Sequence, residues 1–352
     1  MLARGLTARG HKVIVATDVD ASPEFDRGLE YEVQRGRSVT QLARVARACD
    51  LVHASGASLV SGDVAIRARR PLVTTHHGLQ ASCLEGSGWH GGALCNYNLF
   101  RCIRLTQRHL GVARCVRKVA RFPAGRMALR LARANVAVSG FVGRVVDAPR
   151  TVVVYNCADT AIFQPGVPSG PRTRFLFVGR FQSEKGVETL LHAVAKARSQ
   201  RVDLFLDLVG GGPMEGSYRD LARLLGVEDR VRFLGWMRGS RLAEVVRASI
   251  ALVLPTFCDE AFGIAAAEAL CCGRVAIVSD RGGLPEVVQG METVVPAGDV
   301  DAWAVALQRV DEDKNWRAEQ EKRAVLAAAR FTPGRFLDGY LQVYENAFSG
   351  SA

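Results

Sequence analysis

The stretch FLFVGRFQSEKGVETLLHAV, residues 175–194, contains the pattern that decides the fold. An apolar strand runs into Gly179 and Arg180, and Lys185 and Gly186 precede a segment with helical periodicity. Open α/β sheets bind ligands at such strand ends, where a helix N-terminus favours an anion. An arginine that can hold two oxygens and a lysine five positions later suit a diphosphate. For this stretch alone, two solvated loop cations remain the simpler interpretation.

Short apolar runs alternate with helical patterns along the whole chain. They are HKVIVAT, DLVHA, PLVTTHH, NVAVS, RFLFVG, DLFLDLVG, VRFLG, IALVLPT and VAIVS. This alternation predicts an α/β protein with parallel sheets and crossover helices. A linker is predicted from the residues Pro165, Gly166, Pro168, Gly170 and Pro171. The expected domains are therefore 1–166 and 167–332, followed by an amphipathic helix over 333–352 that packs back on the first domain.

Length and composition exclude several classes of protein. The chain has 352 residues, 48% of them hydrophobic, which is more than one core usually organises. It contains no apolar run long enough to span a membrane and no signal-like start. Nine cysteines, an odd number in a chain of this length, do not resemble a secreted disulfide framework and favour reduced thiols. We therefore expect a cytoplasmic protein.

The net charge of +11 is concentrated in the first half of the chain. Residues 1–166 hold 23 Lys/Arg against 11 Asp/Glu, and no acid occurs from Gly86 to Val146. Ten of the eleven Lys/Arg residues of this stretch follow one another at near-helical spacing, namely Arg101, Arg104, Arg108, Arg114, Arg117, Lys118, Arg121, Arg126, Arg130 and Arg133. They predict contact with an anionic membrane surface or an acidic acceptor, while a solvated arginine-rich helix is the alternative. No nucleic-acid-binding motif accompanies them, so nucleic acid is not an expected partner.

The stretch PTFCDEAFGIAAAEAL, residues 255–270, places two glutamates eight positions apart. Glu260 falls in a predicted loop, and Glu268 lies two helical turns later. A loop carboxylate beside exposed backbone amides can bind sugar hydroxyls, and Glu268 can accept both ribose hydroxyls. Two surface glutamates on an ordinary helix are the alternative. The backbone amides in question belong to Phe262, Gly263 and Ile264.

Three further strand ends carry glycine. They are LVGGGPMEG, VRFLGWM and SDRGGLPEVV, which contain Gly211, Gly212, Gly235, Trp236 and Gly283. Glycine lets the backbone approach a ligand closely, although each motif alone is a weak signal. A dinucleotide-binding fingerprint is excluded because its third glycine would fall on a glutamate.

In this order and spacing, the motifs resemble glycosyltransferase family 4. The resemblance covers nearly all of the second half of the chain, and RGHKVIVAT, DLVHASG, PLVTTHHG and VYNCADTAIFQP match the first half more loosely. It implies the GT-B architecture, in which two Rossmann-like, doubly wound domains face each other across a cleft. It also implies a retaining enzyme that uses a nucleoside-diphosphate sugar. The expected acceptor is a glycan or lipid-linked glycan in cell-envelope polysaccharide synthesis, with the protein peripheral on the inner face of the membrane.

The resemblance also assigns roles to residues. It implies that Arg180 and Lys185 hold the donor diphosphate, that Glu260 holds the transferred sugar and that Glu268 holds the ribose. The other expected donor contacts come from Gly179, Gly211, Gly212, Gly235, Trp236, Phe262, Gly263, Ile264 and Gly283.

The active-site histidine implied by the family falls at the end of the strand PLVTTHHG. Aligning the glycine that follows places it at His77, with His76 as the rival. A histidine at a strand end is also commonly a hydrogen-bonded loop residue, so that interpretation stays open.

No metal or other cofactor is expected, because cationic side chains cover the diphosphate. The two Asp-Val-Asp motifs, at 18–20 and 299–301, are interpreted as loops, the second with Asp299 as a helix cap. A set of four potential ligands follows the histidine pair, but its spacing fits no standard zinc pattern and favours buried thiols. That set is Cys83, His90, Cys95 and Cys102.

The start of the chain departs from the family. A predicted helix feeds the strand HKVIVAT directly, whereas a doubly wound sheet opens with a strand and a glycine-rich turn. We therefore expect the coding sequence to continue upstream of Met1. The alternative is a non-catalytic GT-B binding protein that has lost the glycine loop.

Overall fold

A computed structural model of the chain describes residues 1–19, 26–56, 58–168 and 172–349. Two features predicted from the sequence fall partly outside these ranges. One is Asp20 of the first Asp-Val-Asp motif, and the other is residues 169–171 of the predicted linker.

The described residues form helices and strands in alternation, as predicted. The strands are β1 (Ile14–Thr17), β2 (Glu32–Arg35), β3 (Val52–Ser55), β4 (Leu72–His76), β5 (Trp89–His90), β6 (Ala93–Leu94), β7 (Ala134–Ala137), β8 (Thr151–Val153), β9 (Arg174–Arg180), β10 (Phe205–Gly211), β11 (Val231–Gly235), β12 (Ala251–Leu254), β13 (Val275–Ser279) and β14 (Val294–Val295). The helices are α1 (Leu2–Ala8), α2 (Val39–Arg47), α3 (Leu59–Ala68), α4 (Leu99–Leu110), α5 (Val112–Leu131), α6 (Gly140–Val146), α7 (Val187–Ser199), α8 (Glu215–Leu224), α9 (Gly239–Ala248), α10 (Ile264–Cys271), α11 (Leu284–Val287), α12 (Val300–Glu312), α13 (Lys314–Ala328) and α14 (Pro333–Ser349).

The chain divides into two compact units. The first contains Met1–Gly86, Leu99–Tyr155 and Pro333–Ala352, and the second contains Ser87–Asn98 and Asn156–Thr332. The passage into the second unit thus comes at Asn156, earlier than the predicted boundary after Gly166. The reason is local packing, because Phe163 is buried and the Arg247 side chain donates to the Ile162 carbonyl at 3.4 Å.

The second unit is built on one six-stranded parallel sheet with the order β11-β10-β9-β12-β13-β14. Its first strand along the chain, β9, is central, and the strand order reverses there between β10 and β12. The strands β12 and β13 are buried along their whole length, as expected for a parallel sheet covered on both faces. This is the doubly wound arrangement predicted from the sequence, and it brings the ends of β9 and β12 together at the topological switch point.

The first unit contains two separate parallel sheets within the described residues. One has four strands in the order β3-β4-β7-β8, and the other consists of β1 and β2. All the strands expected from apolar runs in this half are present. Within the part of the chain that is described, β1 pairs only with β2.

The C-terminal helix α14 completes the core of the first unit. Its buried Tyr340 and Val343 pack with Val73 of β4 and Val136 of β7. Phe348, which has the helical spacing of the apolar residues of the predicted amphipathic helix over 333–352, is instead 55% exposed. It lies in the last turn, where it lines an open surface cavity rather than the sheet.

None of the helices within the described ranges is both long enough and apolar enough to cross a membrane.

We predict that Gly210→Ala strongly destabilises the second unit. Gly210 has φ +138°, and an added Cβ would lie 1.8 Å from the carbonyl oxygen of Gly179 on the neighbouring strand. The strain and the forced separation of β9 and β10 should cost about 3 kcal/mol or more. Chemical denaturation of both proteins measures the difference.

Gly216→Ala in α8 is the matched control, because no atom lies within 4 Å of its added Cβ. It should leave the midpoint unchanged or raise stability by up to about 1 kcal/mol. Equal stability of the two variants would show that the approach of β9 and β10 is not a constraint.

Candidate active site

The predicted site residues of the second unit gather at one edge of its sheet. The strand β9 ends at Arg180, β10 at Gly211 and β11 at Gly235, while β12 leads into the loop that carries Glu260. All these strands are parallel, so their carboxyl ends lie at the same edge. Residues from four separate stretches of sequence therefore share one edge of one sheet.

Lys185 and Glu260 form an ion pair between Nζ and Oε1. Lys185 closes a 3-10 turn that begins at Ser183, and Gly186 follows it with φ +71°. A Cβ on Gly186 would lie 2.1 Å from the carbonyl oxygen of Pro255, so the lysine turn lies directly against the loop of Glu260. The two side chains are only 18% and 27% exposed. Both residues therefore lie on partly buried turns.

The pair keeps Lys185 positively charged. Burial is the largest single influence and lowers the pKa of the ammonium group, but Glu260, Cys258 and Glu184 together outweigh burial, and the net pKa is raised above its usual value. The lysine therefore stays protonated across the neutral range.

The loop that carries Glu260 is fixed by backbone hydrogen bonds. The amide of Phe257 donates to the Glu184 carbonyl at 2.8 Å, and the amide of Gly283 donates to the Glu260 carbonyl at 2.7 Å. A Cβ on Gly282 would lie 2.2 Å from that same carbonyl oxygen. The turn after β13 thus holds the Glu260 backbone from the other side. Gly283 acts here through its amide and not as a flexible spacer.

Arg180 is an exposed cation at the end of β9. It makes no ion pair with any residue in the described ranges, in contrast to Lys185. Gly211 pairs with it across the ladder, and a Cβ there would lie 2.8 Å from Nε1 of Trp236. Trp236 is 61% exposed after the end of β11. A guanidinium group and a flat indole are therefore both open to solvent at this edge.

Glu268 lies in α10, which begins after Gly263 in a left-handed conformation at φ +97°. Burial raises the pKa of the Glu268 carboxyl to about 7. Its carboxylate has no hydrogen bond with any described residue. The group is thus a partly desolvated acceptor whose charge changes near neutral pH.

The residues between the two glutamates divide into core and surface. The Phe262 side chain is buried edge-on against Phe331, with ring centroids 5.4 Å apart. A Cβ on Gly263 would meet the Leu284 side chain at 2.4 Å, whereas Ile264 is 48% exposed. Only the backbone of Phe262 is therefore suited to a ligand contact, as the sequence interpretation assumed.

The histidine pair lies at the end of β4 in the first unit. His76 is buried and its Nε2 lies 3.0 Å from Oδ1 of Asn135, while burial lowers its pKa. Asn135 in turn donates to the Pro149 carbonyl at 2.8 Å. His76 is thus fixed inside the unit, and His77 is the exposed member of the pair. This difference favours His77 over His76 as the residue that meets a substrate.

Two contacts of the Glu260 loop were missed by the sequence interpretation. The hydroxyl of Tyr97 donates to Asp259 Oδ2 at 2.5 Å, and Trp89 stacks on Phe257 with centroids 6.0 Å apart. Both partners come from the segment Ser87–Asn98, which contains β5 and β6 and belongs to the same unit. No local sequence pattern marks this pairing, because the partners are more than 160 residues apart.

The second Asp-Val-Asp motif has the structural role expected of it. The Asp299 side chain accepts a hydrogen bond from the amide of Ala302 at 2.9 Å and caps α12. This confirms the predicted helix cap. Of the first motif, Asp18 is described and Asp20 is not.

Two family models match the chain, and together they extend over residues 1–327. The model described as Glycosyltransferase Family 4 matches residues 1–162, and the model described as Glycosyl transferases group 1 matches residues 159–327. Among curated proteins, the D-inositol 3-phosphate glycosyltransferase of Gordonia bronchialis is 33% identical over 226 residues, which is 58% of this chain and 49% of the relative. The matched part of the chain thus spans about half the length of this relative.

Solved structures of glycosyltransferases have the same fold. Anabaena HepE in complex with UDP and glucose superposes with a TM-score of 0.76 at 20% identity, covering 98% of this chain and 95% of that chain. Sucrose-phosphate synthase from Thermosynechococcus elongatus gives a TM-score of 0.72 at 23% identity, covering 99% and 92%. At such identities the likeness establishes the GT-B fold alone.

We predict that Glu268→Gln stabilises the protein above pH 7. In the folded state the pKa of the Glu268 carboxyl lies near 7, above the usual value of 4.5 for a glutamate, so ionisation opposes folding. At a pH below the pKa of Glu268 in the unfolded chain, the carboxyl is neutral in both states and does not lower the free energy of unfolding. As pH rises toward and through the pKa of the folded state, the carboxyl must be buried either protonated or charged, and the free energy of unfolding falls. Glutamine stays neutral, so the variant should gain up to about 3 kcal/mol at pH 8 and nothing near pH 4.5.

Denaturation curves across this pH range test the idea, with the exposed Glu244→Gln as control. The control should leave the pH dependence of the wild type intact. A Glu268→Gln curve parallel to the wild-type curve from pH 4.5 to 8 would contradict the assignment.

Proposed function

Because the chain belongs to glycosyltransferase family 4, we propose that it transfers a sugar from a nucleoside-diphosphate donor to an acceptor hydroxyl with retention of anomeric configuration. The observation that carries this proposal is that the Lys185–Glu260 ion pair and the exposed Arg180 both lie at the carboxyl edge of the sheet of the second unit. The two cations, Lys185 and Arg180, match the two phosphates of a sugar diphosphate, and the Glu260 carboxylate can accept hydrogen bonds from the sugar hydroxyls.

The two cations have a catalytic role in this proposal. As the donor bond breaks, negative charge grows on the β-phosphate of the departing nucleoside diphosphate. Cations held at that position stabilise the transition state more than the ground state. Lys185 meets the requirement of pre-organisation, because its turn is locked against Pro255 and its charge is fixed by Glu260. Arg180 adds a fork that can bind two phosphate oxygens. On this account no metal is needed at the diphosphate.

Glu260 and Glu268 bind hydroxyl groups in this scheme. The Glu260 carboxylate has a second oxygen for a sugar hydroxyl after Oε1 is taken by Lys185. The Glu268 carboxylate accepts from the ribose hydroxyls, and this function requires its ionised form. With a pKa of about 7, donor binding near neutral pH is coupled to loss of a proton from Glu268.

Retention without a covalent intermediate suits the groups present at this edge. Retaining glycosidases place a nucleophilic carboxylate close to a second, acidic carboxyl group. Here Glu260 is engaged by Lys185 and Glu268 is desolvated in α10. We therefore propose a front-face displacement assisted by the leaving phosphate, with His77 contributing near the donor sugar.

A non-catalytic binding protein is the competing interpretation. It predicts that the donor-site residues and their geometry are no longer maintained in a protein without turnover. Here the Lys185 turn is held against Pro255, and backbone hydrogen bonds fix Glu260, so this geometry is maintained. Release of nucleoside diphosphate from a donor separates the two interpretations.

For the acceptor, we propose a glycan or lipid-linked glycan of the cell envelope, reached at an anionic membrane surface. The support is the outer surface of α4 and α5, where Arg104, Arg108, Arg114, Arg117 and Arg121 are exposed. Phe100, near the start of α4, is 84% exposed. Basic residues with an exposed aromatic ring are the combination that binds an anionic interface.

Two of the predicted basic surface residues donate hydrogen bonds to backbone carbonyls within the first unit. Lys118 donates to the Leu84 carbonyl at 2.8 Å, and Arg126 donates to the Val146 carbonyl at 2.6 Å. They therefore contribute less to a membrane contact than their exposed neighbours.

The names of the curated relatives suggest a second acceptor class. Those relatives are D-inositol 3-phosphate glycosyltransferases, and a phosphorylated polyol would also be attracted by the basic first unit. An acceptor panel should therefore include inositol phosphates beside lipid-linked glycans.

We predict that Lys185→Ala and Glu260→Ala each reduce kcat at saturating donor by a factor of about 100 or more. The preferred donor is first identified by thermal stabilisation with a panel of nucleoside-diphosphate sugars. Each single variant also leaves its partner charge half buried, so a lower melting temperature is expected. The double variant should recover part of that stability without recovering turnover.

Arg180→Lys keeps the charge but loses the fork, so it should lower kcat/KM with little change in melting temperature. The matched control is Lys196→Ala, which removes an exposed ion pair with Asp301. Near-normal turnover in Lys185→Ala, with donor saturating, would overturn the donor-site assignment.

We predict that the full chain co-sediments with vesicles containing anionic lipid and is released by salt. Each cation near the surface contributes about 1 kcal/mol, screened beyond a Debye length. Arg114, Arg117 and Arg121 changed together to glutamate should abolish binding, and Phe100→Ala should weaken it.

The control changes an equal charge on the second unit, at Arg201, Arg219 and Arg223, which are all exposed. It should bind vesicles as the wild type does. Sedimentation that is indifferent to anionic lipid, to salt or to the choice of triple variant would remove the membrane proposal.

A further inference from the structure

An open cavity of about 380 Å³ lies within the first unit, at the amino ends of two neighbouring strands. The strand β4 begins at Leu72, and the amide of Arg133, just before β7, donates to the Leu72 carbonyl at 2.7 Å. Residues of α3, α5 and α14 supply the rest of the lining. His77 follows the opposite end of β4, so the cavity is separate from the residues proposed to act on the sugar donor. Its volume falls in the range of small-molecule sites, about 300 to 1,000 Å³.

Three large apolar side chains from three different helices line this cavity. They are Ile66 of α3, Leu131 of α5 and Phe348 of α14, and they are between 48% and 60% exposed. A single half-exposed apolar residue is ordinary, whereas several around one concave surface mark a place that binds something apolar. Covering them with hydrocarbon would remove this surface from water, which is favourable.

The same cavity is lined by Arg69, Arg70 and Arg133, and no acidic residue is among its described lining residues. None of the three arginines forms an ion pair with any residue that the structure describes. The side chain of Arg70 donates to the Arg47 carbonyl at 2.6 Å. The guanidinium groups of Arg69 and Arg133 have no such partner within the described ranges. The cavity is therefore basic as well as apolar.

The dipoles of the nearby helices do not account for these two cations. Basic side chains often lie at helix C-termini because they contact the last carbonyls. Here the amides of Arg69 and Arg70 already donate to carbonyls in the last turn of α3, at 3.1 and 3.0 Å. Just after α5, the guanidinium of Arg150 donates to the Ala132 carbonyl at 2.6 Å. These helix ends have their own donors, so the guanidinium groups of Arg69 and Arg133 remain available to a ligand.

A ligand that matches this lining combines an anionic group with a hydrocarbon chain. Guanidinium groups bind phosphate through paired hydrogen bonds, which are stronger than those to neutral acceptors. Apolar side chains at a surface accept an acyl chain. Inorganic phosphate satisfies only the first requirement, and a lipid with no net charge satisfies the second far better than the first. A phospholipid with an acidic headgroup satisfies both.

We propose that this cavity binds one anionic phospholipid of the membrane. Its phosphate lies on Arg69 and Arg133, and the first part of an acyl chain covers Ile66, Leu131 and Phe348. The proposal goes beyond sugar transfer, because it concerns a separate binding site for an individual lipid molecule.

The cavity is also distinct from the basic surface of α4 and α5 proposed above to contact the membrane. Leu131 lies ten residues after Arg121 on α5, which is about 15 Å along the helix. A change of charge from Arg114 to Arg121 therefore leaves the cavity lining as it is. The two sites can be tested separately.

The first test is the binding of short-chain lipid to the full chain, below the concentration at which the lipid forms micelles. Dihexanoyl phosphatidylglycerol should bind saturably at one site in a calorimetric titration. Dihexanoyl phosphatidylcholine, which has no net charge, and inorganic phosphate should each bind at least about tenfold more weakly. Equal binding of the phosphatidylcholine, or of phosphate alone, would overturn the proposal.

Changing Arg69 and Arg133 together to glutamine should weaken binding of the phosphatidylglycerol by about tenfold or more and leave the phosphatidylcholine unaffected. The matched control is Arg130→Gln, because Arg130 is also exposed on α5 but does not line the cavity. Equal binding in the double variant and the control would contradict the role of the two cations.

Changing Leu131 and Phe348 together to alanine should weaken binding of both lipids, because the acyl chain loses its contacts. Its control is Met127→Ala, since Met127 is 53% exposed on α5 outside the cavity. If the alanine double variant melts at a lower temperature than the wild type, the arginine double variant decides, because its residues are at the surface. Binding that is unchanged in the alanine variant at an unchanged melting temperature would overturn the placement of the acyl chain.

Two further outcomes would assign the lipid or the cavity differently. Loss of phosphatidylglycerol binding when Arg114, Arg117 and Arg121 are changed to glutamate would place the lipid on the basic surface and overturn the proposal. A dimer in sedimentation that dissociates in Phe348→Ala would show that a second copy of the chain covers the cavity, which also overturns it. Lipid binding is measured without any transfer reaction, so its result is independent of the proposed function.

Discussion

The ion pair between Lys185 and Glu260 joins two loops that are 75 residues apart in sequence. It exists because β9 and β12 are neighbours at the switch point of the sheet, and because Gly186 lets one loop touch the carbonyl of Pro255 in the other. An unpaired charge at this depth would be costly, so each partner depends on the correct placement of the other. The sheet order, the glycine turn and the charge pair are thus parts of one constraint.

Much of the fold follows from local patterns. The apolar runs identified the strands of both units because parallel strands buried on two faces read as continuous hydrophobic stretches. Glu260 and Lys185 were identified from spacing and resemblance, yet the sequence did not reveal that they form a pair. Pairing depends on which strand ends become neighbours, and that is a property of the sheet order.

The remaining differences also arise from packing between distant residues. The stretch from Asn156 to Gly166 was assigned to the first domain because the proline and glycine residues that indicate a linker begin only at Pro165, but Phe163 is buried within the second unit. Phe348 has the correct helical period for the core and is still 55% exposed, at the edge of an open surface cavity. The pairing of Tyr97 with Asp259 has no local signature at all. In each case the hydrophobic periodicity predicts the secondary structure of a segment but not which distant residues pack against it.

The path of the chain has a consequence for how the protein is made. The second unit holds Ser87–Asn98 and Asn156–Thr332, whereas the first unit needs α14, the last described helix, to cover Val73 and Val136 with Tyr340 and Val343. On the ribosome, therefore, the unit that begins first is the one that finishes last. Its apolar sheet surface stays open while more than 170 residues of the second unit are synthesised, at about 5 to 20 residues per second. A nascent chain of this topology exposes an aggregation-prone apolar surface for on the order of ten seconds or more. Chaperones bind such surfaces.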